Sequence, residues 1–178
     1  MGEPNPMGPI DDKTADELMA PINTQASEAN PEPIKVEQPK QIWLIEDSGQ
    51  LAKLIVEGGS SILGQNQVNA TIVHFQEGEQ AIARYEEILE KDELPPVIIL
   101  MDYSLEGEVE NPKYKTGVAV IEELKQVAAR HNAKLPQIVA FSTEEEYAAE
   151  LMKAGASSSV DKRKGTLAYF KSLRLEND

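Results

Sequence analysis

From Gln41 onward, short apolar runs alternate with longer segments in which apolar side chains recur every three or four positions. The runs are Ile42–Ile45, the β-branched stretch Ala70–Phe75, Val97–Met101, Ile138–Phe141 and the more polar Ser157–Val160. Each has strand length and composition. Between them lie helical stripes: Leu51, Leu54, Ile55 and Ile62; then Ala81, Ile82, Tyr85, Ile88 and Leu89, stopped by Pro95-Pro96. Val120, Ile121, Leu124, Val127 and Ala128 form the third. Tyr147, Leu151 and Ala154 form the fourth, which Gly155 closes, and Leu167, Phe170 and Leu173 mark a last helix. Near-continuous apolar strands predict a parallel sheet covered on both faces. Right-handed crossovers then predict an α/β, doubly wound, five-stranded three-layer sandwich, with the flavodoxin-like order 2-1-3-4-5 as one common form.

Residues 1–40 break this alternation. They hold seven of the eleven prolines, eight acids and three bases, with few large apolar side chains. Such a stretch buries too little surface to offset its ordering entropy, so the expectation is a disordered tail at 1–40 and a folded domain at 41–178. Thr14-Ala15-Asp16-Glu17 fits a capping box, but Pro21 stops any helix after about two turns.

Composition narrows the functional classes. A net charge of −14 argues against nucleic-acid or anionic-membrane binding. No apolar run approaches the roughly 20 residues that span a bilayer, and no secretory leader opens the chain, so a cytoplasmic protein is expected. Met1-Gly2 is not a myristoylation signal, because Pro6 stands where Ser or Thr is required. The absence of cysteine removes disulfides, thiolate metal sites and thiol nucleophiles.

The chemistry sits where strands end. The first run leads into Glu46-Asp47, the third into Asp102, the fourth into Ser142-Thr143, and the fifth reaches Lys162. In an open α/β sheet, ligands collect outside the carboxyl ends of the strands. Three carboxylates, a hydroxyl and an ammonium at one edge suit phosphoryl chemistry. A carboxylate such as Asp102 attacks phosphorus when a cation neutralises the crowded charge. Mg²⁺ takes one or two carboxylates, waters and a phosphate oxygen, here Asp47 and Asp102, with Glu46 acting directly or through water. Lys162 offsets charge at rest and contacts a phosphate oxygen after transfer. Ser142 supplies a hydroxyl, with Thr143 as competitor.

Ile42-Trp43-Leu44-Ile45-Glu46-Asp47-Ser48, Ile99–Asp102, Ile138–Thr143 and Gly155-Ala156-Ser157 onward to Lys162 together resemble the receiver domain of two-component response regulators. The resemblance runs through residues 41–175. It implies an Mg²⁺-dependent phosphoacceptor served by a sensor histidine kinase or phosphotransfer protein, with Asp102 phosphorylated and Glu46 and Asp47 as the acidic pair. Ser142 and Lys162 would sense the phosphoryl group, and the backbone carbonyl of Ser104 would complete the metal shell. Too few residues follow the last helix for a DNA-binding module. The expected protein is therefore a stand-alone regulator that signals to a downstream protein target.

The chain departs from that pattern at four places. Ser159 stands where the family carries an aromatic switch residue, Arg163 where proline follows the lysine, and Glu106 where proline is frequent. The loop 106–116 is several residues longer than usual: a surface insertion, or a specificity loop in which Glu106 or Tyr114 restricts access. Glu144 lies where the family tunes hydrolysis. Ser159, Arg163 and the long loop motivate a rival reading, a pseudo-receiver acting as a constitutive binding module, against which the retained acids, hydroxyl and lysine argue. A phosphohydrolase is disfavoured, since Ser104 replaces the second aspartate such enzymes commonly carry. His74 reads as a structural histidine away from the active edge, His131 as a helix-end residue and Trp43 as core.

Overall fold

The computed structural model describes residues 38–106 and 112–175. The tail expected at 1–40 lies outside the described residues except for its last three, and Lys40 already opens the first strand. The strands are β1 (Lys40–Ile45), β2 (Ala70–Phe75), β3 (Ile98–Met101), β4 (Gln137–Ser142) and β5 (Ser158–Asp161). The helices are α1 (Gly49–Gln65), α2 (Gly78–Glu90), α3 (Gly117–Arg130), α4 (Glu145–Ala154) and α5 (Thr166–Ser172). A single 3₁₀ turn, Pro112–Tyr114, precedes α3. All strand pairs are parallel and the order is β2-β1-β3-β4-β5, the flavodoxin-like form named above.

The alternation of side chains along each strand divides the core. Trp43, Ile45, Ile99, Met101, Ile138 and Ala140 point to the face covered by α2, α3 and α4. Ile42, Leu44, Ile98, Leu100, Val139 and Phe141 point to the face covered by α1 and α5. β1, β3 and β4 are therefore buried on both sides and read as continuous apolar runs. β5 lies at the sheet edge, which explains its serines: Ser159 is exposed.

Three helical faces depart from the expected stripe. In α1 the buried positions are Ala52, Ile55, Gly59, Ile62 and Leu63, while Leu54 is 68% exposed. Gly59 causes this. A Cβ there would lie 2.6 Å from Ile72 Cδ1 and 2.9 Å from the Phe170 ring, so its bare backbone sets the line of closest approach. Leu167 of α5 and Tyr147 of α4, also expected inside, are 53% and 41% exposed. Other expectations hold: Gly155 caps α4 at φ 126°, His131 caps α3, and Trp43 is fully buried against Phe75 and Tyr85.

Candidate functional site

The sheet register brings β1 and β3 side by side, so their last residues must meet. Ile45 pairs with Met101, and the next amide, of Asp102, donates to the Ile45 carbonyl at 3.0 Å. Glu46 and Asp102 thus leave adjacent strands in the same direction. A carboxylate oxygen from each of Glu46, Asp47 and Asp102 lies within 4.8 Å of the others. Glu46 is 1% exposed and Asp102 6%, while Asp47 is half-buried.

The charge of Lys162 enters from the far edge. Its backbone amide donates to the Ser142 carbonyl at 3.2 Å, and its Nζ stands 2.6 Å from Glu46 Oε2 and 2.6 Å from Asp102 Oδ2. The side chain is 9% exposed, with Nζ 5.7 Å from the Phe141 ring centroid. Oε2 of Glu46 is within ion-pair distance of Nζ but receives no well-directed hydrogen bond. Asp161 stiffens the turn that presents Lys162: its Oδ1 accepts from the amides of Arg163 (2.7 Å) and Lys164 (3.2 Å), and its carbonyl from Gly165 (2.8 Å). Thr166 Oγ1 donates to the Lys162 carbonyl at 2.8 Å.

Burial decides the electrostatics. It pushes the carboxyl pKa of Glu46 above its usual value; Lys162 opposes this and the Asp102 charge adds to it. Burial raises Asp102 likewise, against the opposing pull of Lys162 and of the Tyr103 amide. Three carboxylates facing one ammonium leave a formal excess of two negative charges. At ~4 Å and an effective dielectric of about 20, each like-charge pair costs about 4 kcal/mol. An all-oxygen donor set with that excess fits a hard divalent cation such as Mg²⁺.

Ser142 is 6% exposed at the end of β4, where its Oγ accepts from the Glu144 amide at 3.2 Å. Thr143 Oγ1 instead donates to Glu144 Oε1 at 3.4 Å. Ser104 forms an isolated antiparallel bridge with Thr116, flanked by bonds from Leu105 to Lys115 and from Gly117 to Tyr103. In such a pair the bridged residues turn their own amide and carbonyl outward, so the Ser104 carbonyl is free of the bridge. Gly117 is required here for space: a Cβ would fall 2.0 Å from the Asp102 carbonyl oxygen.

Several features run against or beyond the sequence expectations. Tyr114 does not cover Asp102: it is 9% exposed in the α2–α3–α4 core, and its hydroxyl donates to Glu123 of α3 at 3.3 Å. Glu106 is exposed, and 107–111 lie outside the described residues. His74 is not remote from the active edge, because its Nε2 lies 2.8 Å from the Glu46 carbonyl oxygen. Tyr103, which carries no sequence signal of a role at the site, donates its amide to Asp102 Oδ1 at 2.6 Å. Its ring stacks on Tyr147 of α4 at 4.2 Å and its hydroxyl donates to Glu150 at 2.6 Å. Arg163, in place of the usual proline, reaches back to the Thr143 carbonyl at 3.3 Å.

No protein-family model matches the sequence, and no curated protein matches it. Solved structures do. The signal receiver domain of a Luxo repressor protein from Vibrio parahaemolyticus aligns with TM-score 0.52 at 20% identity, covering 75% of this chain and 86% of that one. A LuxR-family two-component response regulator from Aurantimonas aligns with TM-score 0.54 at 18% identity, covering 76% and 82%. A Burkholderia pseudomallei response regulator, solved with a phosphorylated aspartic acid, a calcium ion and citrate, aligns with TM-score 0.52 at 14% identity, covering 76% and 66%. The fold of this chain is that of response-regulator receiver domains.

Proposed function

We propose that this chain is an Mg²⁺-dependent phosphoacceptor, phosphorylated on Asp102 by a histidine kinase or phosphotransfer protein. The observation that carries the reading is the position of Lys162 between Glu46 and Asp102, with Asp47 beside them. Glu46, Asp47, Asp102 and the Ser104 carbonyl would hold the metal, whose chemistry is to neutralise phosphoryl oxygens as they approach. A carboxylate oxygen of Asp102 attacks the phosphorus of a phosphohistidine. The P–N bond breaks, its electron pair stays with the imidazole, and a mixed anhydride forms. Lys162 pairs with a phosphoryl oxygen. Ser142 is better suited than Thr143 to donate a hydroxyl proton there, since its oxygen accepts from Glu144 and leaves its own proton uncommitted.

Action through protein contacts, in the cytoplasm, completes the proposal. Among the described residues no helix is long and apolar enough to cross a membrane. The acid excess gives nucleic acid no purchase and favours a protein as the target. Intact-mass measurement after incubation of the full chain with Mg²⁺ and acetyl phosphate or phosphoramidate tests the reading. A phosphoryl adduct is expected, lost with chelator and in Asp102→Asn. No adduct, or equal labelling of that variant, ends it in favour of a constitutive binding module.

A further inference from the structure

We infer that His74 is a positioning residue for the acidic pair, acting through the peptide between Glu46 and Asp47. This rests on the metal-site reading above and deepens it. The β1–β2 ladder ends at Ile45 and Phe75, and the Glu46 amide still finds the Phe75 carbonyl at 3.1 Å. Beyond that point β2 has no further residue to pair with the Glu46 carbonyl. The His74 imidazole takes its place, with Nε2 at 2.8 Å. A carbonyl oxygen only accepts, so Nε2 must carry the proton.

That carbonyl belongs to the peptide plane joining Glu46 to Asp47. Holding its oxygen fixes rotation about the bonds on either side, and with it the directions in which the two side chains leave the backbone. Glu46 is anchored at both backbone groups by the edge strand: amide to Phe75, carbonyl to His74. Its carboxylate contributes a further constraint, Oε1 accepting from the Ser48 amide at 3.2 Å. The imidazole therefore works one bond removed from the ligands, as outer partners of metal sites do.

The test compares His74→Phe, which keeps an aromatic ring without the donor, with His74→Gln, which keeps an N–H at similar reach. Mg²⁺ affinity of the full chain is measured by competition with Mn²⁺ in electron paramagnetic resonance. Loss of about tenfold is expected for His74→Phe, with recovery to within about threefold in His74→Gln. Equal affinity in His74→Phe and wild type, or equal loss in both variants, overturns the inference while leaving the metal site standing. Absence of saturable Mg²⁺ binding in wild type removes both. Long-range ¹⁵N correlation on the wild-type imidazole is independent of whether variants fold: the Nε2-protonated form is expected, and an Nδ1-only tautomer refutes the contact.

Discussion

Lys162 Nζ and Glu46 Oε2 lie 2.6 Å apart at residues that are almost fully enclosed, and the same ammonium is 2.6 Å from Asp102 Oδ2. One cation therefore balances two buried anions from two different strands. Removing it leaves both carboxylates desolvated and unpaired, which costs far more than losing a surface ion pair.

Lys162→Met is accordingly expected to lower stability at neutral pH by about 3 kcal/mol in urea unfolding without metal. Saturating Mg²⁺ should restore a large part of the loss, because a dication replaces the missing ammonium. A variant that is as stable as wild type in chelator would contradict the buried pairing.

The raised pKa values of Glu46 and Asp102 set the sign of the pH dependence. An acid whose folded pKa lies above its unfolded value contributes stability that is fully present below the unfolded pKa and lost as pH rises through the folded one. The ordinary values are 4.5 and 3.8, so these groups should make the metal-free chain less stable as pH climbs above that range. Urea midpoints from pH 5 to pH 8 in chelator measure this, with a flatter profile expected for Glu46→Gln combined with Asp102→Asn.

Mg²⁺ binding should compete with those protons. Calorimetric titration in buffers of different ionisation enthalpy is expected to detect proton release that grows as pH falls toward the carboxyl range, and affinity should rise with pH until both carboxyls are ionised. A pH-independent affinity with no proton release would place the metal elsewhere.

Gly117→Ala is expected to destabilise by about 2 kcal/mol through overpacking. The added Cβ would meet the Asp102 carbonyl oxygen at 2.0 Å and Met101 Cγ at 2.8 Å. Because the strain falls on the backbone of Asp102 itself, Mg²⁺ affinity should fall as well. Gly64→Ala, at a helical position with open space around it, should leave Mg²⁺ affinity unchanged and cost no stability.

The sheet and the acidic cluster were legible from sequence for one physical reason. Strands buried on both faces must be continuously apolar, and their polar successors must emerge at one edge. Thus Ile42–Ile45 and Ile98–Met101 announced both the ladder and the meeting of Glu46 with Asp102. Leu54 was misassigned because the packing line of α1 is set by the missing side chain of Gly59, which carries no hydrophobic signal. His74 and Tyr103 escaped because each acts through one directed hydrogen bond, and direction leaves no periodic trace in a sequence. Tyr114 lies in the core rather than over Asp102; an aromatic with a polar tip suits a rim or a core equally, and its hydrogen bond to Glu123 decides between them.

The turn around Asp161 bears on how this molecule could report a change of state. With the amides of residues 163 to 165 tied to Asp161 and the Lys162 carbonyl held by Thr166, the lysine stands on a stiff stem. A stiff stem leaves the lysine only the motion of its own side chain to follow a charge that shifts. Movement would fall instead to the opposite bank, the segment after β4 that Arg163 touches only through its flexible arm.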